Sequence, residues 1–433
     1  MASSSISAKD EGCKQGDHVP SRLRICLPLF VAADLSLLCA AHLLKGASTQ
    51  VSGEAPLGLL QPHTASEDNL ISAARRLGSA HAWVSFAIVV GLSGLWPYAK
   101  LLATLLVIML VDARRCAVDQ GVRYLWIIEV LGKYSFADVF LTCINAVIFD
   151  ISTGGKYRIM GLFSLELNMW MELHFACAAL ITAVTFSAFL THWALHELSR
   201  VKAEADLAAG RGSLDVPDLD PPNWSRYRIL AAVAALCGAG LVVLGAVLPL
   251  ARIERGGFLG NLIRPADDRS LSLSVFSICS RMLHGGGSNA VSAIMVVYFF
   301  ALTVVAPLLE FLMLAVDAFS SRSGRIARRA RMCAGWAHSF GCLDVLFIVV
   351  GALVLELHTV VKFNIGDECE PFGSVMGDKT LLRLAGLGFA ASTSCFDPRP
   401  SLACGSAAVL GAVALRWAAW RAHKAMHGVQ KDD

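Results

Sequence analysis

The stretch Gly132–Asp150, GKYSFADVFLTCINAVIFD, starts with polar and aromatic residues and places Asp138 three residues after Ser135 before it becomes apolar. A second version lies at 339–356, SFGCLDVLFIVVGALVLE, with Asp344 about 206 residues after Asp138. A segment that recurs far along a chain indicates duplicated units. The pattern therefore predicts a protein made of two related halves.

The composition is that of an integral membrane protein. Of the 433 residues, 55% are hydrophobic and 16% are charged, and the mean hydropathy is +0.59. Soluble domains have roughly 25% charged residues, so a chain this apolar needs lipid around much of its surface. The formal net charge of +3 is too small to indicate nucleic-acid binding, and we expect no nucleic-acid partner.

Eight apolar runs predict an all-α, polytopic fold of about eight transmembrane helices in two tandem four-helix repeats. A helix needs about 20 apolar residues to cross a hydrocarbon core about 30 Å thick. The runs cover roughly 25–44, 82–111, 135–151 and 170–195 in the first half, and 229–251, 289–316, 342–361 and 402–420 in the second. The segment 124–128 is expected to form an interfacial helix before the third run.

The boundary between the halves is a charged stretch at 196–227 that is rich in Pro, Asp and Gly, as linkers are. The predicted organisation is a disordered cytosolic tail over 1–23, a first four-helix repeat over 24–196, a cytosolic linker over 197–227, a second repeat over 228–421 and a cytosolic tail over 422–433. Lys and Arg are more frequent on the side of the termini, which predicts that both termini are cytosolic. The sequence leaves open which membrane holds the protein.

A proline lies inside the second run of each half. Pro97 and Pro307 are about 210 residues apart, close to the offset between the two motifs. Proline removes a backbone hydrogen bond and bends a helix. We therefore expect a kinked or interrupted span at both positions.

The loops on the side opposite the termini cover 45–81, 252–288 and 362–401. The last contains Cys369 and Cys395, which form one disulfide if the compartment is oxidising and their side chains meet. Leucines between 381 and 389 suggest a helix at the membrane interface. The other cysteines are mostly single residues in apolar runs, where cysteine usually acts as a small hydrophobe.

Charged residues inside apolar runs are candidate functional residues, because a charge in the bilayer is costly. The runs contain Asp34, Lys100, Asp138, Glu310 and Asp344. Lys100 and Glu310 each follow a matching proline by three residues. Two interpretations remain open for this pair: the opposite charges pair across the halves, or each is solvated in the headgroup layer beside a helix kink.

The two aspartates also have a structural interpretation. Ser135 and Asp138 have the spacing of a capping box, in which a serine and an acid satisfy the first amides of a helix. In the second motif Gly341 takes the serine's place and is still an acceptable N-cap. Asp138 and Asp344 are then expected in the first turn of a helix at the cytosolic membrane surface. A ligand-binding role is compatible with that position.

No pattern indicates catalysis, a metal or a cofactor. There is no glycine-lysine phosphate-binding loop, no C-x-x-C pair and no spacing typical of metal ligands. His338 and His358 stand on either side of the seventh run without neighbouring ligands. We therefore expect no enzymatic activity, no cofactor and no metal site.

The repeated motif resembles the bacterial paraquat-inducible protein A family of integral membrane proteins. The matching residues are Pro97, Lys100, Tyr134, Ser135, Asp138, Val139 and Phe140 in the first half, and Pro307, Phe340, Asp344 and Val345 in the second. The resemblance implies two four-helix halves and a role in moving lipids between membranes beside partners that form a lipid conduit. The chain lacks the family's four-cysteine zinc ribbons, and Gly341 replaces the motif serine, so partner and cargo are expected to differ.

Two functions follow as hypotheses. The first is a transporter-like protein that moves lipid or another hydrophobic molecule between or across membranes, with membrane lipid and another membrane protein as partners. The second is a non-transporting scaffold or auxiliary subunit that binds partners through its far-side loops. Lys100, Asp138, Glu310 and Asp344 should line a cavity in the first case and lie solvated in the headgroup layer in the second.

Overall fold

Helices dominate the structure, a computed structural model that describes residues 20–54, 63–79, 81–152, 157–159, 163–208, 224–256, 270–285, 287–320, 324–376 and 397–426. Six of the described helical segments are long and apolar enough to cross a membrane. They are Ser21–Leu43, Trp83–Asp112, Phe175–Leu207, Ser225–Val247, Ala290–Phe319 and Arg325–Thr359. The chain is thus a multi-pass membrane protein of the all-α class, as its composition predicts.

Twelve described helices form the body of the protein. They are α1 (Ser21–Leu43), α2 (Leu70–Ser79), α3 (Trp83–Asp112), α4 (Val118–Gly132), α5 (Ala137–Ile148), α6 (Phe175–Ala208), α7 (Trp224–Val247), α8 (Val275–His284), α9 (Ala290–Phe319), α10 (Arg325–Phe340), α11 (Leu343–Met376) and α12 (Cys404–Met426). A short 3₁₀ turn, Lys133–Phe136, joins α4 to α5.

Eight described strands lie between these helices. They are β1 (Ala47–Glu54), β2 (His63–Asp68), β3 (Ile151–Ser152), β4 (Tyr157–Ile159), β5 (Phe163–Leu173), β6 (Ala251–Gly256), β7 (Ser270–Leu273) and β8 (Asp397–Leu402). These strands were not predicted from the sequence, because most of them are short, polar segments without clear alternation. They account for much of what was expected to be loop.

The strands form two antiparallel sheets with the same order of equivalent strands. In the first half β1 lies between β2 and β5, and in the second β6 lies between β7 and β8. Ala47, at the start of β1, pairs with the last residues of both neighbours, Asp68 and Leu173. Ala251, at the start of β6, pairs in the same way with Leu273 and Leu402. The three strands β2-β1-β5 therefore match β7-β6-β8 in order and in the pairing of their first residues, while the first sheet also contains β3 and β4 and has a register shift between Thr49 and Gln50.

A π-helical segment precedes the proline in both α3 and α9. It covers Ala87–Leu95 in α3 and Ala301–Val305 in α9, and Pro97 and Pro307 each lie in the first turn of the α-helical segment that follows. The wider π turn accommodates the missing proline N–H and is a usual cause of bending. The helical hydrogen bonding thus changes before each proline, while a bend or break at Pro97 and Pro307 stays a prediction.

Three predicted segments differ from the structure. The third run, predicted at 135–151, contains α5, a helix of 12 residues that measures about 18 Å at 1.5 Å per residue. The first residues of the fourth run belong to β5, since α6 begins only at Phe175. The linker predicted from 197 is helical to Ala208 as a continuation of α6. Eight complete spans thus stay a prediction.

Some predictions lie outside the described residues. These are the disordered tail over 1–19, the Cys369–Cys395 disulfide and the interfacial helix at 381–389. Within the described part, α1 begins at Ser21 and α12 ends at Met426, so helix extends slightly into both predicted tails.

The two halves share one hydrophobic core. Phe140 on α5 meets Phe299 on α9 edge to face, with ring centroids 5.2 Å apart, and both rings are buried. Leu, Val and Phe side chains remain exposed along the outer faces of the candidate spans, among them Leu29, Leu102 and Val297. Such a surface suits lipid, whereas most side chains of α5 are buried inside the protein.

Candidate functional site

Charged and polar side chains from both halves gather where the break between α10 and α11 meets the end of α4. We call this set the interhalf cluster. Its members are Glu129, Lys133, Tyr134 and His192 from the first half, and Glu310, His338, Ser339, Asp344, Arg416 and Trp420 from the second. Two helix breaks bring these residues together: the 3₁₀ turn after α4 and the gap at 341–342.

Asp344 connects the two halves directly. Its Oδ2 lies 2.5 Å from the Lys133 ammonium and accepts a hydrogen bond of 3.2 Å from the Tyr134 hydroxyl. Its Oδ1 lies 3.9 Å from Nη1 of Arg416. Asp344 is in the first turn of α11, as predicted, but its main partners belong to the other half. Its role therefore extends beyond starting a helix.

Glu310 is held by partners in its own half. Arg416 donates from Nε to Oε1 at 2.9 Å, and its Nη2 is 2.8 Å from Oε2. His338 Nδ1 and Trp420 Nε1 lie 2.8 and 2.6 Å from Oε1. Glu310 has no exposed surface. A buried charge is tolerated only when paired and hydrogen-bonded, and here four contacts supply that.

Glu310 does not pair with Lys100, so the predicted pairing across the halves is wrong. Lys100 has no exposed surface either, and its Nζ has no hydrogen-bond partner among the described residues. The solvated headgroup position is wrong for both residues as well. His338 also differs from its predicted isolation, since it contacts Glu310.

The Lys100 ammonium lies in a confined space in the first half. Asp34 and Glu129 are acidic side chains in its surroundings. Asp34 is 1% exposed and, within the described part of the chain, both of its carboxylate oxygens lack a hydrogen-bond partner. A Cβ on Gly132 would lie 2.8 Å from Nζ, so the glycine leaves room for the lysine.

Glu129 anchors a second link between the halves. Its Oε1 lies 2.5 Å from His192 Nδ1 and accepts a hydrogen bond from the Ser339 hydroxyl, whose Oγ is 3.1 Å from the same nitrogen. In a hydrolase triad the serine and the acid bind opposite nitrogens of the histidine. Here both meet Nδ1, and the serine donates to the acid. This arrangement connects helices and differs from that of an activated nucleophile.

The capping box predicted for Ser135 and Asp138 is wrong. Ser135 lies inside the 3₁₀ turn and Phe136 has helical dihedral angles (φ −79°, ψ −5°), so α5 continues a helix and has no free N-cap. Asp138 does lie in the first turn of α5, and it accepts a hydrogen bond of 3.0 Å from Ser93. The Ser135 hydroxyl is buried and finds no partner within the described residues.

The second motif begins its helix one residue later than expected. Gly341 ends α10 in an extended conformation (φ −70°, ψ 112°). The first hydrogen bond of α11 runs from the Leu346 amide to the Cys342 carbonyl, at 2.9 Å. Cys342, rather than Gly341, therefore occupies the N-cap position. Gly341 instead accepts a hydrogen bond of 2.9 Å from Arg416 through its carbonyl.

Another contact between the halves lies at the far end of both motifs. The Glu356 carboxylate accepts hydrogen bonds of 2.6 Å from each of the Val84 and Ser85 amides, in the first turn of α3. Asp150, which ends the first motif, lies against Gly285 shortly before α9: a Cβ there would be 2.6 Å from its Oδ2. Each motif thus ends in an acid beside the other half.

The sequence analysis selected only part of this site. Glu310 and Asp344 are in the interhalf cluster, Lys100 lies beside it, and Asp138 and Ser135 lie apart from its hydrogen bonds. Arg416 was not predicted, although an arginine inside the apolar run at 402–420 is itself an unusual charge. Glu129 and His192 gave no signal, because only packing brings their helices together. Among the described residues, no group of His, Cys, Asp and Glu side chains could hold a metal ion.

Comparison of the chain with protein-family models, with curated proteins and with solved structures finds no match in any of the three. The resemblance of the two motifs to the paraquat-inducible protein A family accordingly stays a prediction.

Proposed function

We propose that the chain is a transporter-like membrane protein that moves lipid or another hydrophobic molecule, and that its two halves are tandem repeats. The matching sheets support the repeat, since Ala47 and Ala251 pair at the same places in the same strand order. The π-helical segments before Pro97 and Pro307 support it further. Equivalent irregularities at equivalent positions are expected of a duplicated unit.

The proposal includes eight membrane-embedded elements, with α5 and α12 added to the six long apolar segments. The arginine at 416 makes α12 more polar than the other spans, but this charge is 4% exposed and paired with Glu310. The short α5 is mostly buried and needs no lipid-facing length. With eight elements both termini lie on the same side of the membrane. Lys and Arg are more frequent on that side, so we assign it to the cytosol.

The observation that carries the transport proposal is the salt bridge between Asp344 and Lys133, at 2.5 Å across the halves. Both side chains are partly buried, with Lys133 10% and Asp344 17% exposed, and ionisable groups inside a membrane protein are costly and often mark a transport pathway. Transport further requires the halves to separate, because Lys100 and Glu310 have no exposed surface and cannot line an open passage. We infer a closed form held by Asp344 on one side and Glu356 on the other.

Transfer of fluorescent lipid between vesicles tests this function. The full chain is reconstituted, and transfer is compared with protein-free vesicles and with the double variant Asp138→Asn, Asp344→Asn. We expect transfer by the wild type and a change of at least severalfold in the variant. A wild type that performs no better than protein-free vesicles would reject lipid transport. The single variant Asp138→Asn separates the two sites, since Asp138 contacts Ser93 within its own half.

A scaffold or auxiliary subunit is the second candidate, and the ordered far-side sheets favour it. The three-stranded β7-β6-β8 arrangement and the larger sheet around β1 and β5 give the far side a fixed shape suitable for a protein partner. Reconstitution separates the two functions. If the protein is a scaffold, it should not change the distribution of lipid between vesicles. Deleting an edge strand of one far-side sheet should then weaken its binding to a membrane protein partner.

A further inference from the structure

Helix α10 has two faces of opposite character. Its inner face is a stripe of buried alanines, Ala327, Ala330, Ala334 and Ala337, which lets it pack closely within the second half. Its outer face carries Arg325, Arg328 and Arg329, all exposed. The spacing i, i+3, i+4 places the three guanidinium groups on one side of the helix. The charge of α10 therefore points away from the protein.

The described part of the chain offers the three arginines no acidic partner. None of them makes an ion pair with a residue that the structure describes. Arg331, nearer the inner side, is the arginine that lies 3.7 Å from Asp317. The helix itself contains no acidic residue. An anion from outside the chain would thus meet three available guanidinium groups.

Apolar side chains accompany this charge. Ile326 and Met332 are exposed on the outward side of α10, and Phe319 is exposed where α9 ends. Without lipid around them, these apolar side chains would be exposed to water, which is unfavourable in free energy. A helix with arginines and exposed apolar residues on its outer side fits the headgroup layer, where the charges meet phosphates and the apolar groups reach the acyl boundary.

The location of α10 agrees with this layer. It lies between two apolar segments, since α9 ends at Phe319 and the apolar part of the next span begins with α11 at Leu343. The equivalent helix of the first half, α4, has one arginine, Arg123, and an acid, Asp119, that pairs with Lys202. The basic face is therefore specific to the second half.

We propose that the outer face of α10 is a binding surface for anionic phospholipid headgroups of the membrane in which the protein resides. Arg325, Arg328 and Arg329 bind the phosphates, each guanidinium donating two parallel hydrogen bonds. Ile326 and Met332 fix the depth of the helix in the lipid. The surface is independent of the transport function, and it would attract anionic lipid to the second half of a scaffold equally well.

Lipid preference in nanodiscs tests the surface. The full chain is incorporated into discs of phosphatidylcholine with a minor fraction of phosphatidylglycerol, and the lipids that stay bound after detergent extraction are counted by native mass spectrometry. Each arginine near an anionic surface is expected to contribute about fivefold to association. Arg325→Gln, Arg328→Gln, Arg329→Gln should lose at least tenfold of the phosphatidylglycerol preference. The corresponding Arg→Lys triple keeps the charge but not the paired hydrogen bonds, and it should lose less than the Gln triple.

A matched control removes the same charge elsewhere. Arg22, Arg115 and Arg123 are exposed but belong to three separate segments, so they form no common face, and their triple Gln variant should lose clearly less of the preference than the α10 triple. If the α10 variant fails to fold, a photoactivatable phosphatidylglycerol is applied to the wild type and should label α10 peptides above a phosphatidylcholine probe. Equal binding of both lipids by the wild type, equal loss in both triples, or labelling that avoids α10 would overturn the proposal.

Discussion

Removal of Arg416 should destabilise the protein by about 3–5 kcal/mol, the usual cost of leaving a buried charge without its partner. Arg416 donates to Glu310 at 2.9 Å, to the Gly341 carbonyl at 2.9 Å and to the His338 carbonyl at 2.6 Å. Arg416→Met keeps most of the side-chain volume but removes these bonds. Among the described residues, Glu310 then keeps His338 and Trp420 as partners.

The assay is reversible unfolding in mixed detergent micelles, with the free energy taken from the denaturation midpoint. Arg421→Met on the same helix is the control, because Arg421 is exposed and stacks over Trp417 at 4.5 Å; it should cost at most about 1 kcal/mol. Adding Glu310→Gln to Arg416→Met should recover about 0.5–3 kcal/mol, the range of coupled neighbours. A loss below 1 kcal/mol for Arg416→Met would refute the reasoning.

Three further variants test other contacts. Glu356→Gln should cost about 1 kcal/mol by weakening the cap on α3, and hydrogen exchange should accelerate in the first turn of that helix and not in α6. Gly132→Ala should cost about 1–3 kcal/mol, because its Cβ would lie 2.8 Å from Lys100 Nζ. Gly335→Ala is the control, since a Cβ there meets nothing within 4 Å. Equal shifts of the unfolding midpoint in both variants would contradict the close approach of Gly132 and Lys100. Phe299→Ala should lower the unfolding free energy by about 3–5 kcal/mol, and a cost near zero would mean that its ring does not pack between the halves.

The fold was predictable where hydropathy alone determines it. Long apolar runs identified the six candidate spans, because a helix in lipid must be both long and apolar. A change in the helix at Pro97 and Pro307 was also predictable, because proline lacks the backbone N–H that a regular helix needs. The sheets were not, because segments such as Ala47–Glu54 and Asp397–Leu402 carry no strong strand pattern and are defined by pairing with distant strands.

The candidate site was predictable only as a set of unusual charges. Glu310 and Asp344 stood out because they are acids in apolar surroundings, but Arg416 is 106 residues from Glu310, and Tyr134 is 210 residues from Asp344. Sequence position could not reveal these partners. The expected pair of Lys100 and Glu310 came from their matching positions three residues after Pro97 and Pro307, and residues at matching positions in two proposed repeats need not touch.

The capping box failed for a local reason. Its spacing is correct at Ser135 and Asp138, but a capping box requires the chain to enter the helix from a non-helical conformation. The 3₁₀ turn at Lys133–Phe136 keeps the backbone helical. The serine's amide targets are consequently already engaged, and Asp138 bonds to Ser93 instead.

The most direct test of the account is whether the two halves separate at the far side. Nitroxide labels attached to non-natural amino acids at the exposed positions Ser79 and His284, one on each half, give an interhalf distance distribution by double electron–electron resonance in liposomes. We expect the wild type to show mainly a short distance between the labels, which corresponds to the closed form. In Glu356→Gln a second, longer distance should become more populated. A single distance distribution that is identical in both proteins would contradict separation of the halves.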